Sequence, residues 1–472
     1  MSRKDELIRF GTDGWRAVIA EGFTFANVER VAQAYADFLA QQTAPVPAPL
    51  VIVGFDRRFL SEKFAERAAD VLIGNDLRVA KFDHAMPTPL VSWAVKLSLA
   101  AGGVVITASH NPAEFNGFKI KAPWGGSAPP ETTSEVERLI DANPPRRASA
   151  AADDERELLQ FSLDTYREQI RSYIDLERIR QSSFSTIIDP MHGTGGRWVE
   201  SFLQGGALQV ETIRADRDPL FGGVSPEPID RNLGALKARV KQANASLGLA
   251  TDGDADRLGA VNELGETMTM HEVVPLILLH LARERRMSGG VVRTFSQSVL
   301  TSRIAKAHEL PVYDTPIGFK YIADLMLKED ILIGAEESGG IGVKGHIPER
   351  DGILNSLLLL EAVVAAGESP SEMVKEMHRE FGEFHFRRRD IQCEVRRGQD
   401  LVAELRGSQP VMVAGFPVRD VETLDGTKLI LDDESWLLFR QSGTEPVLRI
   451  YSEATSIAKA EALLDEAEKQ LR

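Results

Sequence analysis

Short runs of Val, Ile and Leu that stop abruptly in polar, glycine-containing loops recur along the chain. Residues 50–53 (LVIV) run into Gly54-Phe55-Asp56, and residues 104–106 (VVI) into Thr107-Ala108-Ser109-His110-Asn111-Pro112. Ile187 and Ile188 run into Asp189-Pro190-Met191-His192-Gly193, and residues 247–250 (LGLA) into Thr251-Asp252-Gly253-Asp254-Ala255-Asp256-Arg257. Residues 331–333 (ILI) run into Gly334-Ala335-Glu336-Glu337-Ser338-Gly339. Continuous apolar runs of this kind predict strands buried on both faces. Residues 27–39, 63–72 and 353–366 predict helices between them. The alternation predicts repeated βα units with mostly parallel sheets, and in such sheets ligands collect at the carboxyl ends of strands. The polar loops fall at those ends.

The pattern changes towards the C-terminus. Residues 411–413, 428–431, 436–439 and 448–451 predict short strands. Residues 456–471 predict a closing helix, with Ile457, Ala460, Leu463, Leu464, Ala467 and Leu471 at helical spacing. Residues 141–154 (DANPPRRASAAADD) predict a linker, a new element soon after residues 252–257 predicts a second boundary, and residues 367–371 (GESPS) a third. The expected organisation is α/β: three similar α/β domains with mixed, largely parallel sheets, followed by a C-terminal α+β domain. Its boundaries are 1–148, 155–256, 257–375 and 383–472.

The length of 472 residues suits three or four domains, and 43% hydrophobic with 26% charged residues suits a soluble globular protein. Lys and Arg number 55 against 70 Asp and Glu, a net charge of −15. That balance argues against a broad nucleic-acid-binding face and leaves room for a local basic pocket for a small anion. No stretch approaches the roughly 20 apolar residues that span a bilayer, and the first residues lack an apolar signal core. The one cysteine, Cys393, excludes an internal disulfide framework and a cysteine zinc cluster. The expectation is a cytoplasmic protein with no membrane and no nucleic-acid partner.

Candidate chemistry lies in the strand-end loops. Asp252, Asp254 and Asp256 can converge on one hard cation such as Mg²⁺, which prefers oxygen ligands. An EF-hand does not fit, because Arg257 stands where the sharp turn needs Gly and a strand precedes the loop. Ser109 beside His110 is a candidate nucleophile or phosphate carrier, although loop serines are mostly turn formers and no nucleophile elbow surrounds this one. His110 taken alone is as readily structural. Lys119 is by default a solvated lysine; a cationic or desolvated setting would lower its pKa for proton transfer. Arg440, Ser442, Gly443 and Thr444 hold the parts of a phosphate cradle: a guanidinium, two hydroxyls and exposed backbone N–H groups. Glu336 and the adjacent Glu337 suit sugar hydroxyls. Gly340–Gly345 matches G-x-G-x-x-G, but Pro348 separates it from the next helix, so it does not open one as dinucleotide binding requires. No Walker A lysine motif is present, which disfavours nucleotide-dependent transfer.

Taken together, Gly11-Thr12-Asp13-Gly14-Trp15-Arg16, the Ser109 loop, the Asp252–Arg257 loop, Glu336–Gly340 and Arg440–Pro446 resemble the α-D-phosphohexomutase family of phosphoglucomutases and phosphomannomutases. The motifs follow the family's order across essentially the whole chain. The resemblance implies four domains around a central cleft, each giving one loop. It implies that Ser109 is the phosphoserine, that Asp252, Asp254 and Asp256 bind Mg²⁺ with a Ser109 phosphate oxygen as a further ligand, and that Arg257 contacts phosphate or substrate near the metal. His110 joins Ser109 in the implied catalytic loop. Arg16 and Lys119 match positions for substrate contact and proton transfer, Glu336 and Ser338 the sugar-hydroxyl contacts, and Lys320 the substrate-contacting lysine of phosphoglucomutase-like members. Arg440, Ser442, Gly443 and Thr444 would hold the phosphate that is not being transferred. The implied partner is a phosphosugar, with a hexose 1,6-bisphosphate as activator, on a monomer or homodimer.

Two positions depart from the family pattern. Asp13 stands where many members carry Ser, and Gly340 where dual-specificity members carry a Ser-Gly-His run, so a proton-handling histidine is missing there. The Glu-Glu-Ser run resembles the glucose-preferring branch and favours phosphoglucomutase. A phosphomannomutase or dual-specificity mutase is the alternative. A silent phosphosugar-binding protein and a Mg²⁺-dependent sugar phosphatase are the readings from other classes.

Overall fold

One trio of parallel strands recurs three times. The computed structural model describes residues 8–11, 13–42, 48–148, 156–442 and 446–471. The chain divides into two compact units, Met1–Met268 with Gly339–Pro370 and Thr269–Ser338 with Ser371–Arg472.

In the first unit β1 (Trp15–Val18), β2 (Leu50–Phe55), β3 (Arg78–Lys81), β4 (Gly102–Ile106) and β5 (Phe115–Lys121) form a sheet of order β1-β5-β4-β2-β3. The β4-β2-β3 trio is parallel, while β5 and β1 are antiparallel additions. A second sheet repeats the plan with β6 (Ser185–Asp189), β7 (Gln209–Thr212), β8 (Leu247–Thr251), β9 (Leu258–Asn262) and β10 (Thr267–Met268), in the order β10-β9-β8-β6-β7. In the second unit β11 (Gly290–Thr294), β12 (Val312–Thr315) and β13 (Ile331–Ala335) form the third trio, with β11 between its partners. Each trio therefore has its first strand in the middle. The loop after its third strand carries, in turn, Ser109, the aspartate triad and Glu336.

These sheets are mixed as expected, with the parallel pairing confined to the trios. The boundary expected between residues 256 and 257 is corrected: β9 pairs antiparallel with β8 along its length and β10 with β9, so the second sheet continues to Met268. The element after the aspartate loop is a return strand of the same sheet. Residues 149–154 of the expected linker lie outside the described residues.

The strands that carry the site loops are buried throughout, as apolar runs between helix layers must be. In the first core Trp15, Phe23, Phe25 and Phe64 interlock with ring centroids 4.5–4.8 Å apart, joining β1 to the helices Phe25–Gln42 and Ser61–Gly74. Emptying such a position costs about 3–5 kcal/mol. The first unit also holds β14 (Ile341–Val343) and the helix Gly352–Ala366. Asp351 starts that helix by accepting the N–H groups of Ile353 and Leu354, and residues 352–364 of it are all buried.

The C-terminal sheet is wholly antiparallel. It consists of β15 (His385–Gln392), β16 (Met412–Val413), β17 (Phe416–Glu422), β18 (Thr427–Leu431), β19 (Trp436–Gln441) and β20 (Val447–Ala454), in the order β15-β20-β19-β18-β17-β16. One face buries Leu437, Phe439, Leu448 and Ile450 against Ala460, Leu463, Leu464 and Ala467 of the helix Ile457–Leu471. The other face sets Arg388, Tyr451 and Leu438 in one register row and Asp390, Arg449 and Arg440 in the next. Among the described residues no single helix is long and apolar enough to cross a membrane.

Candidate active site

The loop after β4 turns through Ser109, whose φ of 52° is left-handed, an uncommon conformation for a residue with a Cβ. The turn brings Ser109 Oγ to 2.8 Å from Asp252 Oδ2, to which it donates, and to 3.4 Å from His110 Nδ1. Ser109 is 1% exposed and the three aspartates are fully buried. Asp252 Oδ1 accepts the backbone N–H groups of Asp256 (2.9 Å) and Arg257 (3.1 Å), folding the triad into a tight turn. Thr88, at the start of the helix Thr88–Leu97, donates its hydroxyl to Asp254 Oδ2 at 2.7 Å and its N–H to Asp254 O at 2.9 Å.

One carboxylate oxygen from each of Asp252, Asp254 and Asp256 lies within 4.8 Å of the others. Asp254 Oδ1 and Asp256 Oδ1 are buried and receive no hydrogen bond. Buried carboxylate oxygens left this way are costly unless a cation takes them, and an all-oxygen set suits Mg²⁺. The residues present fit that ion. Burial, then the neighbouring Asp254 and Asp256 charges, push Asp252 well above the usual carboxylate range, while Asp254 is held below it, against burial, by Lys119 and Thr88.

Lys119, on β5, is fully buried and pairs with Asp13 Oδ2 (2.8 Å), Asp254 Oδ2 (2.8 Å) and Asp256 Oδ2 (3.3 Å). The default reading of a solvated lysine is corrected by this burial, and the desolvated setting does not leave its pKa lowered. Burial alone would lower it, but the charges of Asp13, Asp254 and Asp256 outweigh burial and raise it. His110 moves the other way, well below its ordinary value, through burial and then the Arg257 and Arg16 charges. Arg16 Nη1 donates to Asn111 Oδ1 at 2.6 Å, and Arg257 stands 4.0 Å from Asp256. The first unit thus brings together Ser109, His110, Lys119, Arg16, Arg257 and the triad.

The second unit holds the rest. Glu336 is buried and Ser338 half-buried after β13; Lys320 opens the helix Phe319–Lys328, its Nζ 5.0 Å from the centre of the Tyr321 ring. Arg440 lies at the end of β19, where its Nε donates to Asp425 Oδ2 at 2.9 Å. The same oxygen accepts the N–H of Ile317 at 2.8 Å, which ties the Lys320 loop to Arg440. Ser442 is buried, its N–H on Val447 O. Gly443 and Thr444 lie outside the described residues.

Several residues of the centre carry no local motif. Arg350 reaches Asp13 Oδ2 (2.7 Å) and Asp256 Oδ2 (2.9 Å), and the buried pair Lys121–Glu349 (2.6 Å) stands beside it. Asp13, noted only as a departure, supplies the third carboxylate on Lys119. The sole sequence signal for Arg350 and Glu349 is a charged Pro-Glu-Arg-Asp-Gly segment before a mostly apolar helix.

Comparison with known proteins gives a consistent result. Four models of the phosphoglucomutase/phosphomannomutase family match in order: alpha/beta/alpha domain I at residues 7–147, domain II at 164–265, domain III at 270–381 and the C-terminal domain at 391–470. A protein of Thermococcus kodakarensis named phosphoglucomutase/phosphomannomutase is 31% identical over 97% of this chain and 96% of its own length. A protein of Pyrococcus abyssi named a probable phosphoglucosamine mutase is also 31% identical, over 98% and 97%. A solved structure from Thermus thermophilus, provisionally assigned as a phosphomannomutase, superimposes with a TM-score of 0.84 at 38% identity, covering 98% of this chain and 99% of that one.

Proposed function

The chain belongs to the phosphoglucomutase/phosphomannomutase family, a family of phosphohexomutases, and from that premise we propose that it interconverts glucose 1-phosphate and glucose 6-phosphate through a phosphoserine at Ser109. The observation that carries the reading is the approach of Ser109 Oγ to Asp252 at 2.8 Å, beside a buried carboxylate triad in which two oxygens receive no hydrogen bond.

Asp252, Asp254 and Asp256 would hold Mg²⁺, which when bound supplies positive charge to the transferring phosphoryl group. In the transfer the bond between Ser109 Oγ and phosphorus breaks as a sugar hydroxyl oxygen bonds to that phosphorus. The hydroxyl proton passes to His110, which its surroundings keep neutral, and Lys119, held as the ammonium, would be the acid that returns a proton to the leaving Ser109 oxygen. The product is a hexose 1,6-bisphosphate, which turns over and returns its other phosphate to Ser109; the same compound added from outside would charge an empty serine. Arg16 and Arg257 would steady the phosphate at the serine. Phosphoryl transfer asks chiefly for such positioning and charge.

Arg440, Ser442, Gly443 and Thr444 would hold the idle phosphate, a group that looks the same whichever sugar carbon bears it. Glu336, Ser338 and Lys320 would read the sugar. The Glu-Glu-Ser run favours glucose; the relatives' names bring mannose and glucosamine phosphates into the test. A coupled assay of glucose, mannose and glucosamine 1-phosphates, each with and without a bisphosphate primer, decides among them. Fastest turnover of glucose 1-phosphate supports the reading, another preferred sugar replaces it, and release of inorganic phosphate in place of isomer overturns the mutase assignment.

A further inference from the structure

In each trio the loop after the middle strand braces the loop after the third. Thr194, after β6, donates its N–H to Gly253 O of the aspartate loop at 3.0 Å. Ser296, after β11, donates its hydroxyl to Glu337 at 2.7 Å. After β2 the same place is taken by a guanidinium. Arg58 is 0% exposed. Its Nη2 donates to Ser109 O (2.7 Å) and Asn111 O (2.6 Å), and its Nη1 to Pro112 O (2.7 Å) and Phe115 O (3.1 Å). Three carbonyls of the serine loop and one at the start of β5 thus converge on one side chain.

The guanidinium is itself fixed. Its Nε stands 3.1 Å from Asp56 Oδ2, and Asp56 accepts the Arg58 N–H (2.9 Å) and the hydroxyls of Ser61 (2.6 Å) and Thr107 (2.6 Å). Thr107 Oγ1 in turn accepts the N–H of Ser109 at 2.9 Å. Ser109 is therefore gripped at its N–H through Thr107 and at its carbonyl by Arg58. The far side of that carbonyl faces Gly253, where an added Cβ would come within 2.4 Å of it. A left-handed serine persists only where its surroundings over-determine it, and this network does so.

We propose that Arg58, held by Asp56 and Thr107, is the positioning residue of the reacting serine: it fixes Ser109 in its left-handed turn so that Oγ stays against the triad. The inference rests on the phosphoserine reading above. A charge behind the loop would not suffice, because a lysine ammonium cannot span four carbonyls as a fork does.

The test compares wild type with Arg58→Lys, Thr107→Val and Thr107→Ser, using glucose 1-phosphate primed with glucose 1,6-bisphosphate, alongside calorimetric binding of glucose 6-phosphate. A misplaced reacting atom costs about 100-fold in rate. Arg58→Lys should lose that much in kcat while KM and glucose 6-phosphate affinity hold. Thr107→Val should show the same split to a smaller degree, and Thr107→Ser should restore turnover. A folded Arg58→Lys or Thr107→Val with wild-type kcat, or a loss confined to KM, overturns the proposal. If Arg58→Lys does not fold, the Thr107 pair decides by the same criteria. A wild type that takes no phosphate on Ser109 overturns the parent reading as well; one that does, beside variants that turn over normally, overturns this proposal alone.

Discussion

Lys119 and Lys428 are both buried, yet their surroundings drive them in opposite directions. Around Lys119 burial is outweighed by Asp13, Asp254 and Asp256, and the ammonium is held charged. Lys428 sits against the rings of Trp436 (4.3 Å) and Phe295 (5.1 Å) and donates to Phe295 O, and burial brings it down to about 8. The first unit matches charge with charge, which is what a centre that must handle phosphoryl groups needs before its substrate arrives. In the second unit Lys428 has aromatic faces and a carbonyl in place of carboxylates, and the candidate phosphate contact, Arg440, is half-buried and held at Nε by Asp425. The contrast is between a lysine that its neighbours keep charged and one that they do not.

The sharpest way to break this contrast is at the triad. Asp254→Asn removes one anionic ligand and one partner of Lys119, and should cost about 4 kcal/mol or more in transition-state stabilisation, roughly a 10³-fold fall in kcat/KM. Steady-state assays across a Mg²⁺ titration check it; unchanged activity at low Mg²⁺ would show that the triad is not the metal site. Arg440→Ala removes a charge-assisted contact to phosphate and should cost about 2–3 kcal/mol, roughly 30- to 150-fold in kcat/KM. Charging of Ser109 by a small acyl phosphate should survive in that variant, because recognition and chemistry are separate. Loss of both functions would merge the two regions into one.

The smallest effect tests the lysines. The unfolded pKa of Lys428 is near its ordinary 10.5, so between about pH 8 and 10.5 the unfolded chain binds more protons and this group makes stability rise with pH. Below pH 8 the buried charge costs about 3 kcal/mol, reduced by its contacts with the two rings. Lys428→Met should therefore gain most on wild type at neutral pH, with the difference closing by about pH 10.5. Denaturant titrations at neutral and alkaline pH measure it, and a pH-independent difference would mean that Lys428 is not the group being titrated.

Much of this was legible in the sequence, because its signals are local. An apolar run that breaks into Asp-Gly-Asp-Ala-Asp or Thr-Ala-Ser-His-Asn-Pro announces a buried strand and a loaded loop within a dozen residues. The return strand β9 is indistinguishable in the sequence from the start of a new domain, because a short apolar segment looks the same whether it pairs back or moves on. Arg350 and Asp13 meet across 337 residues of sequence, and Arg58 braces Ser109 across 51. No spacing rule reaches that far. The burial and raised pKa of Lys119 are hidden for the same reason, since Asp13 and the triad arrive from elsewhere in the chain. The three similar α/β domains follow from the alternation of the chain, but their shared strand order, with the first strand in the middle, is not displayed by the sequence of the trios.

The measurement closest to the central claim is the mass of the protein itself. After incubation with Mg²⁺ and glucose 1,6-bisphosphate, intact-mass spectrometry with peptide mapping should find one added phosphoryl group, on Ser109, and none on Ser109→Ala. An unchanged wild-type mass, or a phosphate mapped to another residue, would contradict the account.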